Sequence, residues 1–188
     1  MLKKNLILFV TLVLTVSVSF GQGKFYTKTG KVSFISKAPL EEIEGKNKTV
    51  TAVVDSKTGA VQFAIQMKGF EFEKQLMQQH FNENYVESDK FPKATFKGNI
   101  VNIASVNLAK DGTYPVKVKG MMNIHGVSKE VTADGTLSIK DGKVATGVSN
   151  FKITLKDFNI EIPSLVKDKV ANDADIKVDI NYEPYKAS

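Results

Sequence analysis

The chain has 188 residues, 42% hydrophobic and 24% charged, which is the size and balance of one folded domain rather than a disordered segment. It contains no cysteine, so disulfides, a thiol nucleophile and cysteine-based metal sites are all excluded. The net charge is +6, yet every basic residue is lysine. Without the planar arginine fork a nucleic-acid reader lacks its usual grip on base edges and phosphates, so no nucleic-acid partner is expected.

Residues 1–21 have the three-part layout of a secretory signal peptide. Lys3 and Lys4 precede an apolar stretch from Leu6 to about Val18, and Ser19-Phe20-Gly21 puts small residues at −3 and −1 of a cut before Gln22. The stretch falls short of the roughly 18–20 residues that cross a bilayer. Residues 22–188 are therefore expected to be one exported domain, periplasmic in a two-membrane bacterium or secreted. The lack of cysteine rules out a lipid-modified N-terminal cysteine, and no stable membrane insertion is expected after cleavage.

Beyond the leader, period-two alternation dominates. It predicts strands over 24–28, 31–38, 49–55, 60–67, 94–103, 114–125, 130–140, 143–156, 157–162 and 175–183, some of them halves of longer strands. Val61, Phe63, Ile65 and Met67 alternate with Gln62 and Gln66; Val131, Ala133, Leu137 and Ile139 alternate with polar residues; Ile176, Val178, Ile180 and Tyr182 do the same. Strands with one dry and one wet face belong to antiparallel sheets. Asp55-Ser56-Lys57-Thr58-Gly59 is a turn, Asp141-Gly142 has the signature of a type I′ hairpin, and Asp111-Gly112 precedes another strand. Lysines such as Lys117, Lys119, Lys152 and Lys156 read as solvated outer faces, with weak attraction to anionic membranes as the alternative.

One segment, 70–81, places Phe72, Leu76, Met77, His80 and Phe81 at helical spacing and predicts a short amphipathic helix. Residues 163–174, after Pro163, read as a second short helix or a loop. The fold class is all-β, an antiparallel barrel or sandwich of about eight strands with one or two short helices. Small residues on apolar faces (Ala94 and Gly98 beside Phe96 and Ile100; Ala145, Gly147 and Ser149 beside Phe151 and Ile153) favour a hollow barrel.

Four stretches resemble the YceI family in order. They are Phe34–Gly45, Met77–Gly98, Ile124–Lys129 and Phe151–Phe158 with Ile160 and Pro163. The central one, Met77-Gln78-Gln79-His80-Phe81 through Phe91-Pro92-Lys93-Ala94-Thr95-Phe96, is the most specific. The resemblance implies a lipocalin-like barrel whose elongated cavity accepts an isoprenoid lipid, such as a quinone tail or a polyprenyl phosphate. It implies no catalytic residue and no cofactor, and relatives linked to stress and to lipid transport or storage. A homodimer is compatible with it. Strand alternation then nominates Phe34, Phe63, Ile65, Phe72, Leu76, Met77, Phe81, Phe96, Ile124, Phe151 and Val178 as lipid-binding. Core packing is the bland alternative for the phenylalanines, and the thioethers of Met67 and Met77 suit a flexible tail.

Other candidate chemistry is sparse. His80 and Glu83 are three apart, a spacing that can ligate a metal or pair a base with its orienter, but two histidines and no cysteine do not make a metal set. A hydrogen bond from helix to loop, or contact with a lipid headgroup, are the other readings of His80. His125, before Gly126, reads as a turn anchor, with headgroup contact and pH sensing as alternatives. Glu41, Glu42 and Glu44 read as a solvated turn rather than catalytic carboxylates. Asn47-Lys48-Thr49 matches the glycosylation sequon, a weak signal. No phosphate-binding, nucleophile-elbow or zinc-protease motif occurs. The leading function is an exported isoprenoid-lipid carrier. The alternatives are a stress-related interaction barrel, which predicts an exposed apolar patch in place of a deep cavity, and an enzyme on lipid headgroups using His80 or His125.

Overall fold

A computed structural model of the chain describes residues 23–185; the expected leader lies outside them. The long strands are β1 (Lys24–Lys37), β2 (Glu42–Asp55), β3 (Ala60–Gln66), β5 (Lys93–Ile100), β6 (Gly112–Ile124), β7 (Val127–Lys140), β8 (Lys143–Thr154) and β9 (Asp173–Asn181). Two-residue strands β4 (Glu71–Phe72) and β10 (Glu183–Pro184) add to β2 and β1. All pairings are antiparallel, in the order β1-β9-β8-β7-β6-β5-β3-β2, and β2 pairs back onto β1. The sheet is thus a closed eight-stranded barrel, which leaves no long edge unpaired.

Local chemistry sets the corners. Asp141 and Gly142 have φ of 51° and 70°, the double positive φ of a type I′ turn, between paired Lys140 and Lys143. His125 and Gly126 turn the β6–β7 corner in the same way, with φ of 52° and 76°. At the β2–β3 turn the Asp55 carboxylate accepts the Lys57 and Thr58 amides at 2.9 and 3.1 Å.

Several predicted boundaries change. The two predicted strands 24–28 and 31–38 are one strand, β1, with an irregular register near Gly30. β2 begins at Glu42, not at 49, because Glu42 and Glu44 are outward positions that alternate with inward Ile43 and Gly45. Residues 157–162 are not a strand; Leu155–Phe158 forms a 3-10 turn that ends in left-handed Asn159. Segment 163–174 has a 3-10 turn at Ser164–Val166 in place of a second helix, and its last two residues already belong to β9. The predicted helix is shorter, α1 at Gln75–His80, continuing as a π-turn over Phe81–Tyr85; Phe72 is on β4, outside it.

The interior has two halves. At the end carrying the β2–β3 and β7–β8 turns, Phe25, Val54, Val61, Ile100, Val116, Leu137, Ile139 and Val144 pack into a solid core that closes the barrel. Towards the other end, Val32, Val50, Ala52, Met67, Phe70 and Phe158 belong to a second cluster, bordered by many half-buried apolar side chains. Two of the connections at this end are long, 67–92 between β3 and β5 and 155–172 between β8 and β9.

The small residues do not all signal hollow space. Gly98 and Gly120 pair across β5 and β6, and the Phe96 ring lies over both; a Cβ on either would come within 2.8 Å of the ring. Gly147 similarly seats Tyr182, whose ring would stand 3.1 Å from an added Cβ. Ala145 does not share the inward face of Gly147. A bulge pairs Ile139 with Val144 and Ser138 with Thr146, so Ala145 is the extra residue and Val144 enters the core.

Candidate functional site

A cavity of about 530 Å³ occupies the half of the barrel beyond the closing core. That is within the usual range for ligand pockets of about 300–1,000 Å³. Its wall comes from all eight long strands, β2 through Ile43, and from the connections at the open end. All eleven residues nominated from the sequence line it: Phe34, Phe63, Ile65, Phe72, Leu76, Met77, Phe81, Phe96, Ile124, Phe151 and Val178. The period-two rule brings the strand residues together, since each inward position of a barrel strand meets the same interior.

Near the open end four phenylalanines form one wall. Phe34 stacks on Phe81 at 5.4 Å between centroids, and Phe70 and Phe72 meet both rings edge-on or tilted at 5.0–5.8 Å. Phe63 and Phe96, 6.3 Å apart, stand deeper. A Cβ on Gly45 would come within 2.5 Å of the Phe34 ring, so the glycine lets that ring lie against β2. Helix α1 has no side-chain cap and no buried residue. Its position rests on Met77 and, one turn further, Phe81, which face the cavity, while Leu76 lines it at the rim and stays largely exposed.

Met67, whose thioether suits a flexible tail, lines the cavity too, while Ile43, Phe70, Met122, Leu155, Ile160, Val166, Val170 and Ile176 line it without having been nominated. Ile176 shares the face of Val178 and could have been found by alternation. Ile43 was hidden by the flanking glutamates. Leu155, Ile160, Val166 and Val170 come from an irregular segment with no period to read.

Polar lining is confined to Ser36, Glu41, Lys74, His80, Tyr85, Thr95, Ser149 and Lys169. Lys74 Nζ and Glu41 Oε1 are 3.1 Å apart, so this pair neutralises itself. Partial burial raises the Tyr85 pKa above its ordinary value, which keeps its phenol neutral. The interior therefore offers an apolar solvent with few charges, all on residues of the open-end connections.

The two histidines part company. His80 lines the cavity and is exposed at its rim. Glu83 does not join it, because its carboxylate takes Gln79 Nε2 at 3.2 Å. His125 is not part of the lining. Its ring is edge-on to Phe91 at 4.7 Å, with Nε2 2.6 Å from Glu87 and Nδ1 3.2 Å from the Phe158 carbonyl, as a turn anchor would be. No group of three or more metal-ligating side chains lies together among the described residues. Asn47 of the sequon is buried: Nδ2 donates to the Gln66 carbonyl at 2.9 Å, and Oδ1 accepts from Thr49. In the folded chain it is a structural bridge, not an accessible acceptor. On the outer wall Lys117, Lys119 and Lys152 face Asp134, Glu130 and Asp175 across neighbouring strands.

Comparison with known proteins gives one family match and a set of structural neighbours. The family model described as the YceI-like domain matches residues 15–182. A polyisoprenoid binding domain from Saccharophagus degradans, implicated in plant cell wall breakdown, superposes with a TM-score of 0.73 at 14% identity, covering 87% of this chain and 99% of that one. Burkholderia cenocepacia BcnA gives 0.63 at 22% identity, covering 80% and 94%. A Campylobacter jejuni YceI protein gives 0.57 at 21% identity, covering 76% and 85%. No curated protein matches the chain.

Proposed function

The chain belongs to the YceI-like domain family, and from that premise we propose that it is an exported carrier that holds the chain of one isoprenoid-type lipid in its barrel cavity. The observation that carries this reading is the cavity itself, closed at one end by a packed core and lined almost wholly by Phe, Ile, Val, Leu, Met and Ala. Each CH₂ moved from water into such a space gains about 0.8 kcal/mol. Lys169 and His80 at the rim suit the polar head of a quinone or a polyprenyl phosphate, which would stay at the open end while the tail goes in. The eleven nominated side chains would contact the tail. The Saccharophagus degradans neighbour, named as polyisoprenoid binding, supports the same ligand class. The signal-like leader at 1–21 supports export to the periplasm or beyond.

Binding rather than catalysis fits the chemistry at the site. Among the described residues no carboxylate pairs with His80 to orient it as a base, and His125 is engaged away from the cavity. An interaction barrel without a ligand would have no use for this interior.

The test is native mass spectrometry of residues 22–188 purified from the native host without detergent, followed by organic extraction. The expected result is a bound mass of several hundred daltons that fragments in isoprene steps. A clean apoprotein that also refuses added quinones and polyprenyl phosphates would overturn the proposal.

A further inference from the structure

Three chain segments meet at the open end of the barrel: the β1–β2 turn at 38–41, the approach and first turns of α1 at 73–80, and the loop at 163–170. They are tied together. The Leu40 amide donates to the Asp168 carbonyl at 3.0 Å, and Lys74 pairs with Glu41. Each segment holds one leucine out into solvent. Leu165 is 94% exposed, Leu40 72% and Leu76 61%, the three most exposed large hydrophobic side chains among the described residues. Leu76 itself lines the cavity, and the neighbours of the other two, Val166 and Glu41, line it as well. The apolar surface therefore runs into the interior directly at Leu76 and through Val166 at Leu165, with Leu40 held beside it by the Asp168 carbonyl.

Charge on this rim is balanced, unlike the basic chain as a whole. Lys37, Lys74, Lys167 and Lys169 are matched by Glu41, Glu42, Glu73 and Asp168. A rim without net charge has no preference for an anionic surface. Three separated leucines are also far from the roughly 800 Å² per partner of a stable protein interface. A bilayer takes up isolated apolar tips, while the lysines between them keep their ammonium groups among the lipid headgroups.

We infer that the open end of the barrel docks on a zwitterionic lipid bilayer, with Leu40, Leu76 and Leu165 inserted among the lipids. Docked in this way, the cavity mouth faces the membrane, and an apolar chain passes between bilayer and barrel without crossing water. This inference rests on the carrier reading for its purpose, but the docking itself can be measured separately.

The barrel and both cores lie within residues 23–185, so the test uses residues 22–188 with phosphatidylcholine vesicles in a flotation assay. The comparison variant is Leu40→Ser/Leu165→Ser, since neither residue lines the cavity. The wild type is expected to float with the vesicles equally at low and high salt. The variant is expected to lose about a hundredfold in partition, roughly tenfold per leucine. Uptake of geranylgeraniol from solution, read by native mass spectrometry, is expected to be the same for both. A wild type that stays in the aqueous layer, a variant that floats as well as the wild type, or binding that high salt abolishes would each overturn the docking. So would a leucine-dependent dimer in place of vesicle binding. Failure of both proteins to take up geranylgeraniol would instead count against the carrier reading, whatever the vesicles show.

Discussion

His125 Nε2 lies 2.6 Å from Glu87 Oε2, and both residues have left-handed backbones, with φ of 52° and 44°. Through Nδ1 the same ring reaches the Phe158 carbonyl. One side chain thus ties the β6–β7 corner to the connection that carries α1 and to the turn after β8. Glycine would accept a φ of 52° without strain but would lose the tie. His125→Gly is expected to lower the unfolding free energy by about 1–2 kcal/mol, the worth of lost hydrogen bonds that leave partners unsatisfied. Urea titration checks it; equal or higher stability would mean that turn strain outweighs the tie.

Asn47 is the second buried polar bridge. Its amide joins the middle of β2 to the end of β3 at the Gln66 carbonyl and holds Thr49 by both its amide and its hydroxyl. Asn47→Ala is expected to cost about 1–3 kcal/mol, because the Gln66 and Thr49 groups lose their partner. Thermal unfolding monitored by circular dichroism measures the loss.

Much of this could be read from the chain. Strict alternation in Val61–Met67 and Val131–Ile139 gives strand faces directly, and the family-like stretches gave the barrel. What stayed hidden has physical causes. Ile43 sits between glutamates that mimic a turn, although they only face water. The bulge at Ala145 reverses a face and leaves no mark in the pattern. Gly98 looked like emptiness, but together with Gly120 it is the seat of the Phe96 ring. Leu155 to Val170 contribute to the cavity through irregular backbone, where no period exists to be read. His125 and Glu87, 38 residues apart, meet only because the fold brings two corners together.

Tyr182 gives the account a pH signature. It packs over Gly147 between the two cores, and burial pushes its pKa well above the ordinary value. The unfolded chain ionises this phenol near pH 10, while the folded chain keeps its proton, so the folded state binds more protons there. Its contribution to stability is full below about pH 10 and is lost as pH rises further. Tyr182→Phe keeps the ring on Gly147 and is expected to flatten the alkaline loss relative to wild type. Parallel curves for the two proteins in denaturation at several alkaline pH values would contradict the assignment.

Ala133, on β7, is a small side chain on the cavity wall. Ala133→Trp places an indole where the lipid tail would run. Displacing even three CH₂ groups of the tail is expected to weaken binding by about fiftyfold, at about 0.8 kcal/mol each. Titration with a prenol, followed by native mass spectrometry, gives the ratio. A variant with unchanged affinity would place the tail elsewhere.

The most direct test of the central claim is the affinity of residues 22–188 for prenols of increasing length. A cavity of about 530 Å³ with one closed end predicts that binding tightens with each added isoprene unit, by about tenfold or more while the tail is still entering. It then predicts a plateau once the tail reaches the closing core of Val116, Leu137 and Ile139. An affinity that does not depend on chain length, or no binding at any length, would contradict it.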